Sequence, residues 1–185
     1  MLNVNFSPFP ELTTERLVLR QIVQDDVNEL LFLRSDKNVI AFLDRDPADS
    51  TEETHEFIRT LDSFLSRNET VTWAVTQKGN LKMIGTICIW HINRQHHRAE
   101  IGYALYPDKW GKGIMQEALT CVLNYGFNTM KLHSVEAIVN PNNKASIKLL
   151  ERNGFVREGY FRENYFFKDK YLDSAVYSLL SQERK

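Results

Sequence analysis

The sequence has no long hydrophobic run and very little cysteine, and each absence argues against a class of function. No apolar stretch approaches the roughly 20 residues of a transmembrane helix, and the N-terminus lacks the basic and apolar pattern of a signal peptide. We therefore expect a cytoplasmic protein with no membrane partner. The two cysteines, Cys88 and Cys121, lie in apolar contexts. They are typical of small buried side chains rather than of a redox pair or a metal site.

An excess of positive charge is also missing. The 23 lysines and arginines are balanced by 24 aspartates and glutamates, which gives a formal net charge of −1. A general nucleic-acid binder would carry a basic face or tail, so we expect no nucleic-acid partner. The 185 residues suit one domain with a real core. We expect a loose N-terminal arm over residues 1–11 and a single domain over residues 12–185.

Glycine is scarce, but Gly111 and Gly113 stand two positions apart between two predicted elements. Residues 99–105 predict a strand, and apolar pairs at helical spacing from Ile114 onward predict an amphipathic helix. A strand, a glycine turn and a helix aim free backbone N–H groups at a phosphate. The spacing matches neither a P-loop nor a dinucleotide fingerprint, since Gln116 stands at the third glycine position. Such a turn can also merely reverse the chain.

A second segment, residues 139–155, favours the phosphate interpretation. It follows a short predicted strand over residues 134–139. Asn142 or Asn143 is suited to cap a helix, and Asn153-Gly154 is suited to end it.

Together the two segments resemble the GNAT family of acyl-coenzyme A N-acyltransferases, and in particular its RimJ/RimL-like branch. Residues 12–20 resemble the first strand of that branch, and residues 84–86 and 99–103 resemble later segments in the same order. The resemblance extends from about residue 12 to the C-terminus. It implies an α/β (α+β) fold, a mixed and mostly antiparallel twisted sheet flanked by helices, and acetyl-CoA as co-substrate without a metal.

The resemblance also implies where the co-substrate lies. The pantetheine arm would follow the strand that ends near Leu105, as if it were an added strand, and a backbone N–H near Leu105 would face the thioester oxygen. The family pattern has Gln or Arg where this chain has Asp108, so only backbone donors remain for the pyrophosphate. The implied coenzyme A contacts are Tyr103, Ala104, Leu105, Trp110, Gly111, Lys112, Gly113, Ile114, Met115, Asn140, Asn143 and Ser146.

Acyl transfer to an amine needs a base, because an ordinary lysine-like amine has a pKa of about 10.4. Glu100 is our candidate, acting through a water; alternatively it pairs with Arg98 or another surface cation. Ser146 and Tyr103 are candidate proton donors to the leaving thiolate, with helix capping and strand packing as the alternatives. Asn143 either contacts pantetheine or serves only as an N-cap.

No cysteine has an evident nucleophile setting, which favours direct transfer over a covalent acyl-enzyme. His91, His96 and His97 do not predict a metal site, because adjacent strand residues point to opposite faces. We therefore predict an acetyl-CoA-dependent N-acetyltransferase that acts on a primary amine, either a protein N-terminal α-amine or a small-molecule amine. The alternative is a catalytically inactive acyl-CoA-binding regulatory module.

Residues 35–50 predict an acceptor loop, with several carboxylates around Phe42 and Leu43. Carboxylates beside apolar side chains would suit a cationic amine with an apolar neighbour. Alternatively, the loop is solvated and its two apolar residues plug the core. Residues 161–167 predict a strand rich in aromatic side chains. These side chains either pack in the core or form a homodimer contact.

Overall fold

The computed structural model describes residues 2–183, in which eight strands form one sheet with the order β1-β2-β3-β4-β5-β6-β8-β7. The strands are β1 (Leu12–Thr13), β2 (Leu17–Gln21), β3 (Val71–Gln77), β4 (Asn80–Asn93), β5 (Arg98–Leu105), β6 (Ser134–Val139), β7 (Val156–Phe167) and β8 (Lys170–Leu180). All neighbouring pairs are antiparallel except β5 and β6. The predicted mixed, mostly antiparallel sheet is confirmed.

Five α-helices accompany the sheet: α1 (Val27–Ser35), α2 (Lys37–Ile40), α3 (Thr51–Ser66), α4 (Ile114–Asn124) and α5 (Lys144–Arg152). Ser50 caps α3, since its Oγ accepts the N–H of Glu53 at 3.2 Å. No helix within residues 2–183 has both the length and the apolar character that crossing a membrane requires.

The helices cover both faces of the sheet. Since side chains alternate along each strand, neighbouring strand residues pack against helices on opposite faces. On β3, Trp73 belongs to the cluster that packs against α4, whereas its neighbour Ala74 belongs to the cluster under α1 and α3. Helix α4 contributes a continuous buried stripe, as its apolar spacing predicts. That stripe consists of Ile114, Met115, Ala118, Leu119, Val122 and Leu123.

Residues 2–11 contain neither helix nor strand, yet they pack on the core, unlike the loose arm that we expected. Phe6 is only 2% exposed and belongs to the main core cluster. The backbone N–H of Asn3 donates to the carbonyl of Met130 at 2.7 Å. The indole N–H of Trp73 donates to the carbonyl of Pro10, also at 2.7 Å. Apolar burial and these hydrogen bonds hold the segment on the core.

Candidate active site

The two parallel strands at the centre of the sheet pair over only part of their length. Residues 98–100 of β5 pair with residues 134–136 of β6, and no pairing follows beyond Glu100 and Glu136 within the described chain. The strands diverge there into a cleft, which opens a cavity of about 920 Å³. The cavity brings together part of the predicted site: Glu100, Tyr103, Ala104, Asn140, Asn143 and Ser146.

The backbone of β5 offers hydrogen-bonding groups to this cleft. The N–H of Tyr106 donates to the carbonyl of Ile84 on the β4 side at 2.9 Å. In an antiparallel ladder the direction alternates along the strand, so the N–H and C=O groups of Tyr103 and Leu105 point away from β4. The carbonyl of Leu105 accepts the indole N–H of Trp110 at 2.8 Å. An extended ligand could therefore align with β5 as an added strand.

The glycine turn follows β5 after a short 3₁₀ helix, Pro107–Lys109, and does not line the cavity. Gly111 and Gly113 have φ angles of +71° and +73°, which L-residues rarely adopt. Gly113 is the N-cap of α4, and no side chain caps the helix. The side chains of Ile114 and Met115 are buried in the core, so only their backbone N–H groups are available to a ligand. This arrangement presents uncapped backbone donors, as a phosphate site requires.

Arg16 and Thr14 hold this turn, although no pattern in the sequence singles them out. Arg16 donates from Nη1 to the carbonyl of Lys112 at 3.2 Å, and its Nε lies 2.6 Å from Glu117 Oε2. Thr14 Oγ1 donates to Glu117 Oε1 at 2.5 Å. Burial opposes ionisation of Glu117, but these hydrogen bonds and the Arg16 charge hold its pKa below the usual value. Because the partners lie about a hundred positions apart, no local motif indicates the contact.

Glu100 is a buried carboxylate at the point where the strands separate. It is 7% exposed, and its Oε2 lies 2.9 Å from His91 Nδ1. Burial raises the pKa of Glu100 above the usual value, although the hydrogen bond and charge of His91 partly oppose this. The alternative pairing with Arg98 is wrong, because Arg98 Nη2 lies 2.5 Å from Glu136 Oε2 instead.

His91 reaches Glu100 through an irregularity in β4. The β4–β5 register shifts between Trp90 and Asn93, and His91 has a φ of +46°. Such a bulge redirects a side chain that simple alternation would send to the other face. The imidazole stacks on the Trp90 ring, with centroids 3.9 Å apart. Within residues 2–183, no group of three or more His, Cys, Asp or Glu side chains is placed to hold a metal ion.

Tyr103 and Ser146 meet across the cleft, one from β5 and the other from α5. Their hydroxyl oxygens lie 2.7 Å apart. Burial raises the pKa of Tyr103 to about 12, so the phenol remains protonated at neutral pH. Asn143 Oδ1 accepts the N–H of Ser146 at 3.1 Å, so Asn143 does serve as N-cap. Asn140 Oδ1 similarly accepts the N–H of Asn142 at 3.0 Å. The side-chain NH₂ groups of both asparagines can donate hydrogen bonds to a ligand.

The comparison with known proteins identifies the family. Residues 16–156 match the family model described as an acetyltransferase (GNAT) domain. The chain belongs to the GNAT family. Over 172 residues it is 31% identical to the uncharacterized N-acetyltransferase YoaA of Bacillus subtilis, covering 93% of this chain and 97% of that protein. The predicted enzyme class, a GNAT N-acetyltransferase, is confirmed.

Two solved GNAT structures show how widely the family's acceptors differ. The ribosomal-protein-S5-alanine acetyltransferase of Vibrio fischeri has a TM-score of 0.81 and 25% identity, covering 95% of this chain and 99% of that one. The spermidine N-acetyltransferase of Vibrio cholerae, in complex with CoA and spermine, has a TM-score of 0.81 and 25% identity, covering 92% and 98%. RimL and RimJ structures share the fold as well. The similarity to the ribosomal-protein-S5-alanine acetyltransferase confirms the predicted resemblance to the RimJ/RimL-like branch.

At the far end of the GNAT cavity lies the loop between α2 and α3. Phe42 and Leu43 line the cavity and are partly exposed, so they do not plug the core. Asp44 accepts a hydrogen bond from the hydroxyl of Tyr165 on β7. Asp46 lies 3.3 Å from Lys168 Nζ. Two of the carboxylates expected to meet a cationic acceptor therefore already have protein partners.

The aromatic strand β7 contributes to the same end of the GNAT cavity. Phe161 and Tyr165 line it. Phe166 is 59% exposed and packs on Tyr171, with ring centroids 5.1 Å apart. The homodimer contact stays a prediction.

Proposed function

We propose that this N-acetyltransferase transfers an acetyl group from acetyl-CoA directly to a primary amine in the cleft between β5 and β6. One observation carries the proposal: a buried carboxylate, Glu100, and a protonated hydroxyl pair, Tyr103 and Ser146, line the same cavity. A base for the amine and an acid for the thiolate are the two groups that the reaction needs.

The chain offers groups suited to each part of acetyl-CoA. The pyrophosphate would accept hydrogen bonds from backbone N–H groups of residues 111–115, where an added Cβ at Gly111 would meet no atom within 4 Å. The pantetheine amides would pair with the free edge of β5 near Tyr103 and Leu105. The amide groups of Asn140 and Asn143 would donate from the opposite side of the cleft.

In the proposed mechanism, Glu100 removes a proton from the acceptor amine through a water, and His91 passes that proton to solvent. The neutral nitrogen attacks the thioester carbonyl, whose developing negative charge the Leu105 N–H stabilises. As the carbon–sulfur bond breaks, the thiolate takes a proton from the Tyr103 and Ser146 pair. The nitrogen that has attacked the carbonyl loses its second proton, which restores that hydroxyl pair. The products are an N-acetylated amine and coenzyme A.

Both cysteines argue against a covalent acyl-enzyme. Burial raises the pKa of Cys88 to about 12, and burial also raises the pKa of Cys121. A nucleophilic cysteine needs a thiolate, and a raised pKa disfavours it. The cytoplasm, where acetyl-CoA is available, is the location that we propose for this reaction.

Release of the free thiol from acetyl-CoA tests the proposal. Purified protein should release thiol when a primary amine, either a peptide N-terminus or a small amine, is added. Glu100→Gln keeps the side-chain shape and should lower kcat about 10²-fold at neutral pH, the usual scale for loss of a general base. If acetyl-CoA binds tightly but no peptide or small amine releases thiol, the chain is the inactive acyl-CoA-binding module instead.

A further inference from the structure

We call the part of the cavity lined by α1 and by the loop between α2 and α3 the acceptor end. Two arginines line it, and neither belongs to the proposed catalytic groups. Arg34 extends from α1, and Arg45 belongs to the loop between α2 and α3. The Arg34 guanidinium lies 3.7 Å from the centroid of the Phe57 ring, which fixes its plane. The cavity wall beside them is apolar, formed by Phe42, Leu61 and similar side chains.

Arg45 has no counter-charge among residues 2–183. None of the ion pairs in this part of the chain includes it. Its Nη2 donates to the carbonyl of Leu33 at 3.3 Å, and its buried Nε finds no acceptor within the described residues. Burial, together with the charge of Arg34, lowers the pKa of Arg45 to about 10. The two guanidinium groups line the same cavity.

Arg34 is only weakly compensated. Its Nη2 lies 3.7 Å from Glu53 Oε1, beyond hydrogen-bond distance. Glu53 is itself shared, since its Oε2 accepts the N–H of Asp49 at 2.9 Å. Asp44, the carboxylate next to Arg45 in sequence, accepts the hydroxyl of Tyr165 instead. Among the described residues, Arg34 thus has one carboxylate within 4 Å and Arg45 has none.

We propose that Arg34 and Arg45 form an anion subsite, and that the acceptor carries a carboxylate in the same molecule as its amine. Guanidinium groups match carboxylates in geometry, and a half-buried charge without a partner gains most from one. This inference rests on the proposed function, because it names the acceptor of that reaction. It replaces the expectation of a cationic acceptor, and it predicts that a polyamine is a poor substrate here.

The test compares amine acceptors with and without a carboxylate. Thiol release gives kcat/KM for a dipeptide with a free C-terminal carboxylate, for its C-terminal amide, for a peptide amide with a glutamate side chain near its N-terminus, and for spermidine. We expect the dipeptide acid or the glutamate peptide to exceed the neutral amide by about tenfold or more, the scale of one charge-assisted hydrogen bond. Comparison of the dipeptide acid with the glutamate peptide distinguishes a terminal from a side-chain carboxylate.

Variants of Arg45 test whether this residue causes the preference for acceptors that carry a carboxylate. Arg45→Gln should reduce the preference to near one, and Arg45→Lys should retain part of it. Arg59→Gln is the matched control, because Arg59 is exposed on α3, pairs with Glu56 and does not line the cavity. It should leave the preference unchanged. An unchanged affinity for acetyl-CoA in Arg45→Gln would establish that the variant is folded; if that variant does not fold, Arg45→Lys carries the comparison.

A binding measurement separates this inference from the proposed function. Calorimetry with the N-acetylated dipeptide, as acid and as amide, needs no turnover. Tighter binding of the acid that Arg45→Gln abolishes supports the subsite, even if no amine releases thiol and the proposed function fails. If amines are acetylated without any preference for a carboxylate, the subsite is refuted and the proposed function stands. Equal binding of acid and amide also refutes the subsite.

Discussion

Replacing Gly113 by alanine should weaken coenzyme A binding beyond what its effect on folding explains. The residue has a φ of +73° at the N-terminus of α4, where an L-residue costs about 1–2 kcal/mol. An added Cβ would meet only Arg16 Nη2, at 3.5 Å, which is ordinary van der Waals contact. The free energy of unfolding should therefore fall by about 1–2 kcal/mol through backbone strain alone.

Gly79 provides a matched control for that strain. Its φ is +79°, and an added Cβ there would meet no atom within 4 Å. It stands in the turn between β3 and β4 and is not one of the residues of the proposed phosphate site. Gly79→Ala should lower the free energy of unfolding by a similar amount and leave coenzyme A binding unchanged.

The effect on binding follows from the backbone donors. If Gly113→Ala relaxes its φ, the N–H groups at the start of α4 turn away from the phosphate. Loss of one charge-assisted hydrogen bond costs about 1.5–3 kcal/mol, which raises Kd roughly 10- to 150-fold.

Calorimetric titration with acetyl-CoA and chemical denaturation of both glycine variants would measure the two effects separately. If Gly113→Ala binds acetyl-CoA with the wild-type Kd, while both variants lose the same stability, the turn does not hold the pyrophosphate and our assignment is wrong.

The remaining predictions concern catalysis. Because burial raises the pKa of Glu100, the ionised base should be lost on acidification at a higher pH than for an ordinary glutamate. The acid limb of the pH profile of kcat should be absent in Glu100→Gln. In His91→Ala it should move to still higher pH, because His91 lowers the pKa of Glu100. An acid limb at the wild-type pH in His91→Ala would contradict the interaction between the two side chains. Tyr103→Phe should reduce kcat by about 10²-fold with an unchanged acetyl-CoA KM. A wild-type kcat in stopped-flow thiol release would remove Tyr103 from the mechanism.

The parts of the fold that follow local rules could be predicted from the sequence. The apolar spacing of α4, the Ser50 cap and the strand before the glycine turn depend on residues a few positions apart. A glycine turn at Gly111 and Gly113 before a helix was therefore predicted correctly, and its role in holding the pyrophosphate stays a prediction. Glu100 could be selected because it interrupts an apolar strand, and the structure does bury it.

The parts that depend on long-range contacts or on irregular backbone could not be predicted. His91 was expected to follow strand alternation, but the bulge after Trp90 turns it towards Glu100. Phe6 lies in a segment without periodicity, and its burial depends on a surface formed by distant elements. Arg45 resembles any loop arginine in the sequence. Only its burial without a carboxylate distinguishes it.

The divergence of β5 and β6 also bears on how this protein avoids aggregation. Unpaired strand edges invite pairing with strands of other chains, and proteins usually protect them with charge, bulges or cover. Here the exposed edge lies inside the sheet. The hydrogen bond between Tyr103 and Ser146 ties β5 to α5 across the gap. The edge of β5 is thereby covered by α5, and cover is one of the protections that edge strands use. The hydroxyl pair that we propose as the proton donor would thus also protect an interior edge from other chains.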